Sequence, residues 1–240
     1  MRAMGEYTTI RADDGHELQA WLALPESTPQ GGIAGAPRGD IAGAPRGGLV
    51  VIQEAFGLSS YVRSVCESFA ADGYVAIAPA LYDRQQRGAA FDGHDPEVIA
   101  KGRKLRAGLV WKDVLADVAA AMRRVEYAGK VGIVGYCVGG SVAWLAAQSL
   151  PVAAAVGYYG RDIVDHLEPA PKCPVMLHFG ERDHLIPLTD VERIRAAYPA
   201  IPNYVYPVAH GFDGLRAPGD EPAAKLARSR TLELFRKTIG

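Results

Sequence analysis

Short unbroken apolar runs alternate with longer amphipathic stretches along most of this chain. Gly48-Leu49-Val50-Val51-Ile52-Gln53 carries no polar residue at alternate positions, as expected of a strand covered on both faces. Tyr74 to Pro79, Val131 to Gly135, Val152 to Gly160, Pro174 to Phe179 and Asn203 to Tyr206 also read as strands. Between them lie predicted helices: Ser60 to Asp72, broken by Gly73; Val98 to Tyr127, divided into two near Gly108-Leu109; Gly140 to Gln148; Thr189 to Tyr198, capped by Thr189 or a neighbour; and Glu221 to Thr238. A short helix is expected around Ile163 to Leu167. Strands alternating with helices predict a mostly parallel sheet with helices on both faces. Only the start differs: Tyr7 to Arg11 and His16 to Leu24 flank Asp13-Asp14-Gly15, a hairpin signal that places an antiparallel pair at the sheet edge.

One junction stands apart. Val131-Gly132-Ile133-Val134-Gly135-Tyr136-Cys137-Val138-Gly139-Gly140 is a strand that ends in glycine, presents one cysteine and resumes in glycine before a buried helix. A side chain at the tip of so sharp a turn needs neighbours without Cβ atoms, because strand and helix approach closely there. Cys137 would then sit at a helix N-terminus, whose partial positive charge favours thiolate. This is the nucleophile-elbow pattern G-x-S-x-G with cysteine in the serine place. Alone the pattern is weak, since an unpaired cysteine is commonly a small core residue. Two further strand ends strengthen it. Asp183 follows the strand ending at Phe179, and His210 follows the strand ending at Tyr206, which gives the order nucleophile, acid, histidine. Open parallel sheets form their sites beyond the carboxyl ends of strands, where all three residues fall.

These residues belong to longer stretches that resemble the dienelactone hydrolase family of α/β-hydrolases. The matching segments are Gln53-Glu54-Ala55-Phe56-Gly57, Pro79-Ala80-Leu81-Tyr82-Asp83-Arg84-Gln85, Gly135 to Gly140, Ala155 to Gly160, Gly180 to Pro187 and Ala209-His210-Gly211-Phe212, in family order. The resemblance implies an α/β-hydrolase fold and a cysteine hydrolase in which Cys137 is nucleophile, His210 base and Asp183 its orienter. It implies that Glu54 points at the cysteine and that Ala55 and Val138 offer backbone N–H groups to an oxyanion. Arg84 falls on an arginine expected to contact an anionic substrate, and Phe56, Tyr82, Tyr158 and Tyr159 are expected near that substrate. The family's second anion-contacting arginine falls on Gly214, with Arg216 the nearest substitute. The reaction implied is dienelactone hydrolysis to maleylacetate in aromatic or chloroaromatic degradation, with a broader carboxylesterase, lactonase or thioesterase as the alternative. A binding protein without catalysis and a redox sensor using Cys137 are the competing classes.

Composition narrows the partners. The chain has 240 residues, 49% of them hydrophobic, and a formal net charge of -1, enough for one domain over 1–240 with a large core. Near-neutral charge leaves no electrostatic footprint for nucleic acid or an acidic membrane. No signal-peptide core and no apolar run of membrane-spanning length is visible, so a cytoplasmic enzyme is expected, as a monomer or small homo-oligomer. Cys66, Cys137 and Cys173 show no metal spacing, and Cys66 and Cys173 read as structural; no cofactor and no metal are expected. His94 and Asp95 before Pro96 read as a helix start rather than a metal site, and Asp113 and Asp117 as solvated positions on a helix face. An identical unit occurs twice, Ile33 to Gly39 and Ile41 to Gly47, and reads as an exposed insertion loop spanning about residues 31–47.

Overall fold

The structure is a computed structural model that describes residues 5–25, 44–214, 217 and 219–240. The repeated unit falls outside the described residues as far as Gly43, as does Arg216.

Eight strands form one sheet: β1 (Gly5–Arg11), β2 (Glu17–Ala23), β3 (Gly48–Ile52), β4 (Val75–Pro79), β5 (Val131–Tyr136), β6 (Ala154–Tyr158), β7 (Val175–Gly180) and β8 (Asn203–Tyr206), in the order β1-β2-β4-β3-β5-β6-β7-β8. The first two strands pair with each other and β2 with β4 in antiparallel fashion; every other pairing is parallel. The non-alternating strands are buried throughout, which is why they carry no polar face. Helices α1 (Ser60–Ala71), α2 (Pro96–Ala107), α3 (Trp111–Val125), α4 (Val138–Ser149), α5 (Leu188–Ala197) and α6 (Asp220–Thr238) cover the sheet on both faces.

The order of strands decides where a site can form. From β3 the chain moves outward to β4, then returns past β3 to β5. The crevice between the carboxyl ends of β3 and β5 is therefore the topological switch point. Gln53-Glu54-Ala55 leaves one strand there and Cys137 leaves the other.

Element boundaries follow the pattern with three corrections. The fourth helix begins at Val138, directly after the elbow, and β6 begins at Ala154, because Val152 and Ala153 only lead into it. The fifth helix takes Pro187 as its N-cap with no side-chain cap, so Thr189 lies inside its first turn and does not cap it. Asp117 is not solvated: it is 0% exposed beneath α3. Its neighbour one turn earlier, Asp113, is half-buried. The start of α2 is as expected. Asp95 Oδ1 accepts hydrogen bonds from the backbone N–H of Glu97 and Val98 at 3.0 Å each, with Pro96 in the first turn.

Candidate active site

Cys137 sits at φ 56° and ψ -119°, a left-handed backbone rarely adopted by residues with a side chain. Such a conformation costs on the order of 1–3 kcal/mol and persists because packing around it leaves no alternative. A Cβ at Gly139 would meet the carbonyl oxygens of Ile52 at 2.5 Å and Gln53 at 2.6 Å. The elbow is thus pressed onto the end of β3. That approach brings the first amide of α4, Val138, and the residues leaving β3 into one corner. Glu54, 1% exposed, lies in the same corner, and Gln53 spans it by accepting from Leu81 N–H at 3.2 Å and donating to the Glu54 carbonyl at 3.2 Å.

The acid and the histidine meet as their strand ends foretell. His210 Nδ1 lies 2.7 Å from Asp183 Oδ2, both side chains buried, and Asp183 Oδ1 accepts from Leu185 N–H at 2.8 Å, which fixes the carboxylate. Burial opposes a charged imidazole most strongly, yet the hydrogen bonds to Asp183 and to the Cys137 thiol outweigh it and lift the ring to about 10. His210 Nε2 is buried without a hydrogen bond of regular geometry, although the thiol is close enough to raise the ring's proton affinity. Hydrogen bonds to sulfur are long, and the S–H rotor is free to turn toward the ring. Tyr159 packs on the ring with centroids 4.8 Å apart.

This coupling predicts a titration. In Asp183→Asn the bond that most raises the ring is lost while burial stays, so the His210 pKa is expected to fall well below about 10, read from the ring carbon shift by NMR. The same linkage gives the sign for stability. A folded pKa above the unfolded one stabilises fully below the unfolded value and loses that contribution as pH rises through about 10. Stability of the native protein should therefore fall on the alkaline side, and Asp183→Asn should flatten that fall.

The other expected substrate contacts separate. Phe56 lines a cavity of about 110 Å³ beside Glu54, together with Tyr61, Asp92, His94 and Gly214. Tyr82 is buried, which pushes its hydroxyl up, and Cys137 and Arg106 lie within electrostatic reach of it. Tyr159 is fully buried and packs on His210. Tyr158 does not reach it. Its hydroxyl is 2.7 Å from Thr231 Oγ1, and its ring packs against His178 and Phe212 in the core.

Arg84 is the main correction. Its Nε and Nη2 donate to the two oxygens of Asp117 at 2.9 and 2.7 Å, and its Nη1 is 2.7 Å from Asp14 Oδ2. Asp14 belongs to the β1–β2 hairpin, two strands and more from the elbow, so the guanidinium points to the sheet edge. Burial pushes the Asp117 carboxyl up, but a two-point bond from arginine requires the carboxylate, and we read the pair as charged. The hydrogen bond from Arg84 holds Asp14 down at about 2.

Beyond the predicted set, Arg106 of α2 gives Nη2 to both oxygens of Asp162, at 2.5 and 2.7 Å. Neither residue belongs to a motif, and no sequence signal marks the pair. The remaining cysteines are as expected. Cys66 is fully buried, which pushes its thiol up, and burial raises Cys173 to about 11. Among the described residues no group of side chains could hold a metal ion, and no helix is long and apolar enough to cross a membrane.

A parallel sheet with its switch point at β3 and β5, an elbow cysteine, and an acid and histidine on later strand ends define an α/β-hydrolase. Comparison with known proteins places it more closely. The family model described as the dienelactone hydrolase family matches residues 34–239. Carboxymethylenebutenolidase of Pseudomonas putida is 32% identical over 241 residues, covering 96% of this chain and 95% of its own. A putative carboxymethylenebutenolidase of Salmonella typhimurium is 35% identical over 212 residues, covering 78% of this chain and 76% of its own. The crystal structure of a putative dienelactone hydrolase from Klebsiella pneumoniae superposes with a TM-score of 0.74 at 28% identity, covering 96% of this chain and 98% of that one. The chain belongs to the dienelactone hydrolase family and is a carboxymethylenebutenolidase-like carboxylic ester hydrolase.

Proposed function

We propose that the protein hydrolyses lactones or esters through a covalent thioester on Cys137. The observation that carries this reading is the coupling of one histidine to both partners: His210 is bonded to Asp183 on one side and acted on by the Cys137 thiol on the other. The proton shared by the thiol and His210 resides on the ring, whose affinity for it the Asp183 bond raises, as Sγ bonds to the substrate carbonyl carbon. The resulting oxyanion takes hydrogen bonds from the N–H groups of Ala55 and Val138. Its collapse breaks the carbon–oxygen bond, and His210 returns the proton to the leaving alkoxide, which in a lactone stays attached to the acyl group. Water then gives a proton to His210 as its oxygen bonds to the same carbon, and Sγ leaves and regains its proton. Asp183 holds the ring in the tautomer this requires and offsets its charge. Glu54, buried where the chain leaves β3, faces the elbow in this reading.

Dienelactone is the family's named substrate class and carries a carboxylate. A second reading of the substrate has a specific observation in its favour. The cavity beside Glu54 is lined by Glu54, Asp92 and Gly214, and among the described residues neither lysine nor arginine lines it. The fork of Arg84 is filled by Asp117 and Asp14. Cys137 and His210 do not line that cavity, so the case for an uncharged lactone or ester rests on the filled fork of Arg84. The test is steady-state hydrolysis of cis- and trans-dienelactone beside p-nitrophenyl acetate and an uncharged lactone. The uncharged substrates are expected to give kcat/KM at least about tenfold higher, a difference of about 1.4 kcal/mol. Dienelactone preferred by the same margin would restore the anionic substrate and require a cation at the site.

A further inference from the structure

Helix α2, in the connection between β4 and β5, packs on the residues that leave β3. Gly102 packs against the residue that leaves β3: a Cβ there would stand 2.6 Å from the Ala55 carbonyl oxygen and 3.5 Å from the Ala55 Cβ. Nothing larger than hydrogen fits at Gly102. Arg106 lies four residues on, one turn further along the same face. Leu105 beside it is buried against Tyr82, and the Leu105 carbonyl accepts from Gln85 Nε2 at 2.9 Å.

On the far side of the crevice stands Asp162, just past β6. Its backbone N–H donates to Ser141 Oγ at 3.0 Å, and Ser141 is in the first turn of α4. The chain before it is equally tight. A Cβ at Gly160 would meet the Gly140 carbonyl carbon at 2.7 Å and the Ser141 nitrogen at 2.8 Å. Asp162 is thus fixed relative to the helix whose first amide is Val138, whereas Gly102 is fixed relative to Ala55. The Arg106–Asp162 pair joins the two bodies.

We propose that Arg106 and Asp162 are positioning residues for hydrolysis: their ion pair clamps α2 onto Ala55 and sets the spacing between the Ala55 and Val138 amides that receive the oxyanion. This rests on the reading of Cys137 as nucleophile and of those two amides as the donors. Neither side chain needs to touch the substrate. The pair is part-buried, with side chains 30% and 16% exposed, and such pairs contribute little to global stability. Displacing a donor by an ångström or so, in contrast, weakens a bond that forms fully only in the transition state. The consequence should appear in kcat and leave KM nearly alone.

The test is steady-state hydrolysis of p-nitrophenyl acetate by wild type, Arg106→Met, Asp162→Asn and the charge-exchanged double variant Arg106→Asp/Asp162→Arg, with Cys137→Ala in parallel and thermal melts on all. Each single variant is expected to lose about 10- to 100-fold in kcat with KM within twofold. The double variant should recover most of the loss, which a merely structural defect in either residue would not do. Wild-type kcat in both single variants would overturn the clamp, and so would a raised KM at unchanged kcat, which would make Arg106 a substrate contact. If Arg106→Met fails to fold, Asp162→Asn and the double variant still decide. Activity surviving in Cys137→Ala would sink the nucleophile reading itself, an outcome distinct from failure of the clamp alone.

Discussion

Replacing Cys137 with alanine is expected to lower kcat for any ester or lactone turned over by at least about 10⁴-fold while the fold persists. The size follows from the chemistry, because no other nucleophile stands at the elbow and the residual machinery can only polarise a carbonyl for attack by water. Stability should change little, within about 1 kcal/mol, because alanine and cysteine bear the same backbone penalty at φ 56° and the thiol is only half-buried. Kinetics and a thermal melt on the same preparation check both halves. A variant that keeps a tenth of wild-type activity would remove cysteine from the mechanism.

Arg84→Met should produce the opposite pattern, a large loss of stability with little loss of turnover per folded molecule. The methionine keeps the apolar stem, but Asp117, 1% exposed at its side chain, loses its two-point partner. Breaking a buried pair from one side typically costs about 3–5 kcal/mol, more than the pair contributed when whole, since a buried carboxylate is left uncompensated. A loss of about 3 kcal/mol in urea denaturation is expected, together with a rise of the Asp14 carboxyl from about 2 toward the ordinary range. Turnover of an uncharged ester by the folded fraction should be unchanged. Unchanged stability with a KM raised only for anionic substrates would mean that Arg84 serves the substrate after all.

The contrast between these two residues shows what a sequence carries. Cys137 was legible because its environment is local: two glycines, a strand before and a helix after are contiguous in the chain. Asp183 and His210 were legible because strand ends in a parallel sheet converge by topology, so order along the chain stands in for proximity. Arg84 sat in an equally convincing motif, yet its partners lie 33 residues ahead on α3 and 70 behind in the hairpin, and nothing in the motif says which way the guanidinium turns. Asp117 failed for the complementary reason. A lone aspartate spaced four residues from another on a helix reads as solvated unless the buried cation above it is known. Tyr158 and Tyr159 are adjacent in sequence and both fully buried, yet one ring packs on His210 and the other hydroxyl bonds to Thr231, a difference that adjacency does not announce. Arg106 and Asp162 were invisible because an ion pair between a helix and a turn 56 residues apart has no periodicity to announce it.

Covalent catalysis by Cys137 would show in the mass of the protein during turnover. Rapid acid quenching of the wild type with p-nitrophenyl acetate, followed by peptide mapping, should find one acetyl group on the peptide containing Cys137, labile to thiol as a thioester. The adduct should persist longer where His210 is replaced, since deacylation needs the base. An acyl group on a serine or threonine, or a burst of product with no adduct on Cys137, would show that Cys137 is not the nucleophile.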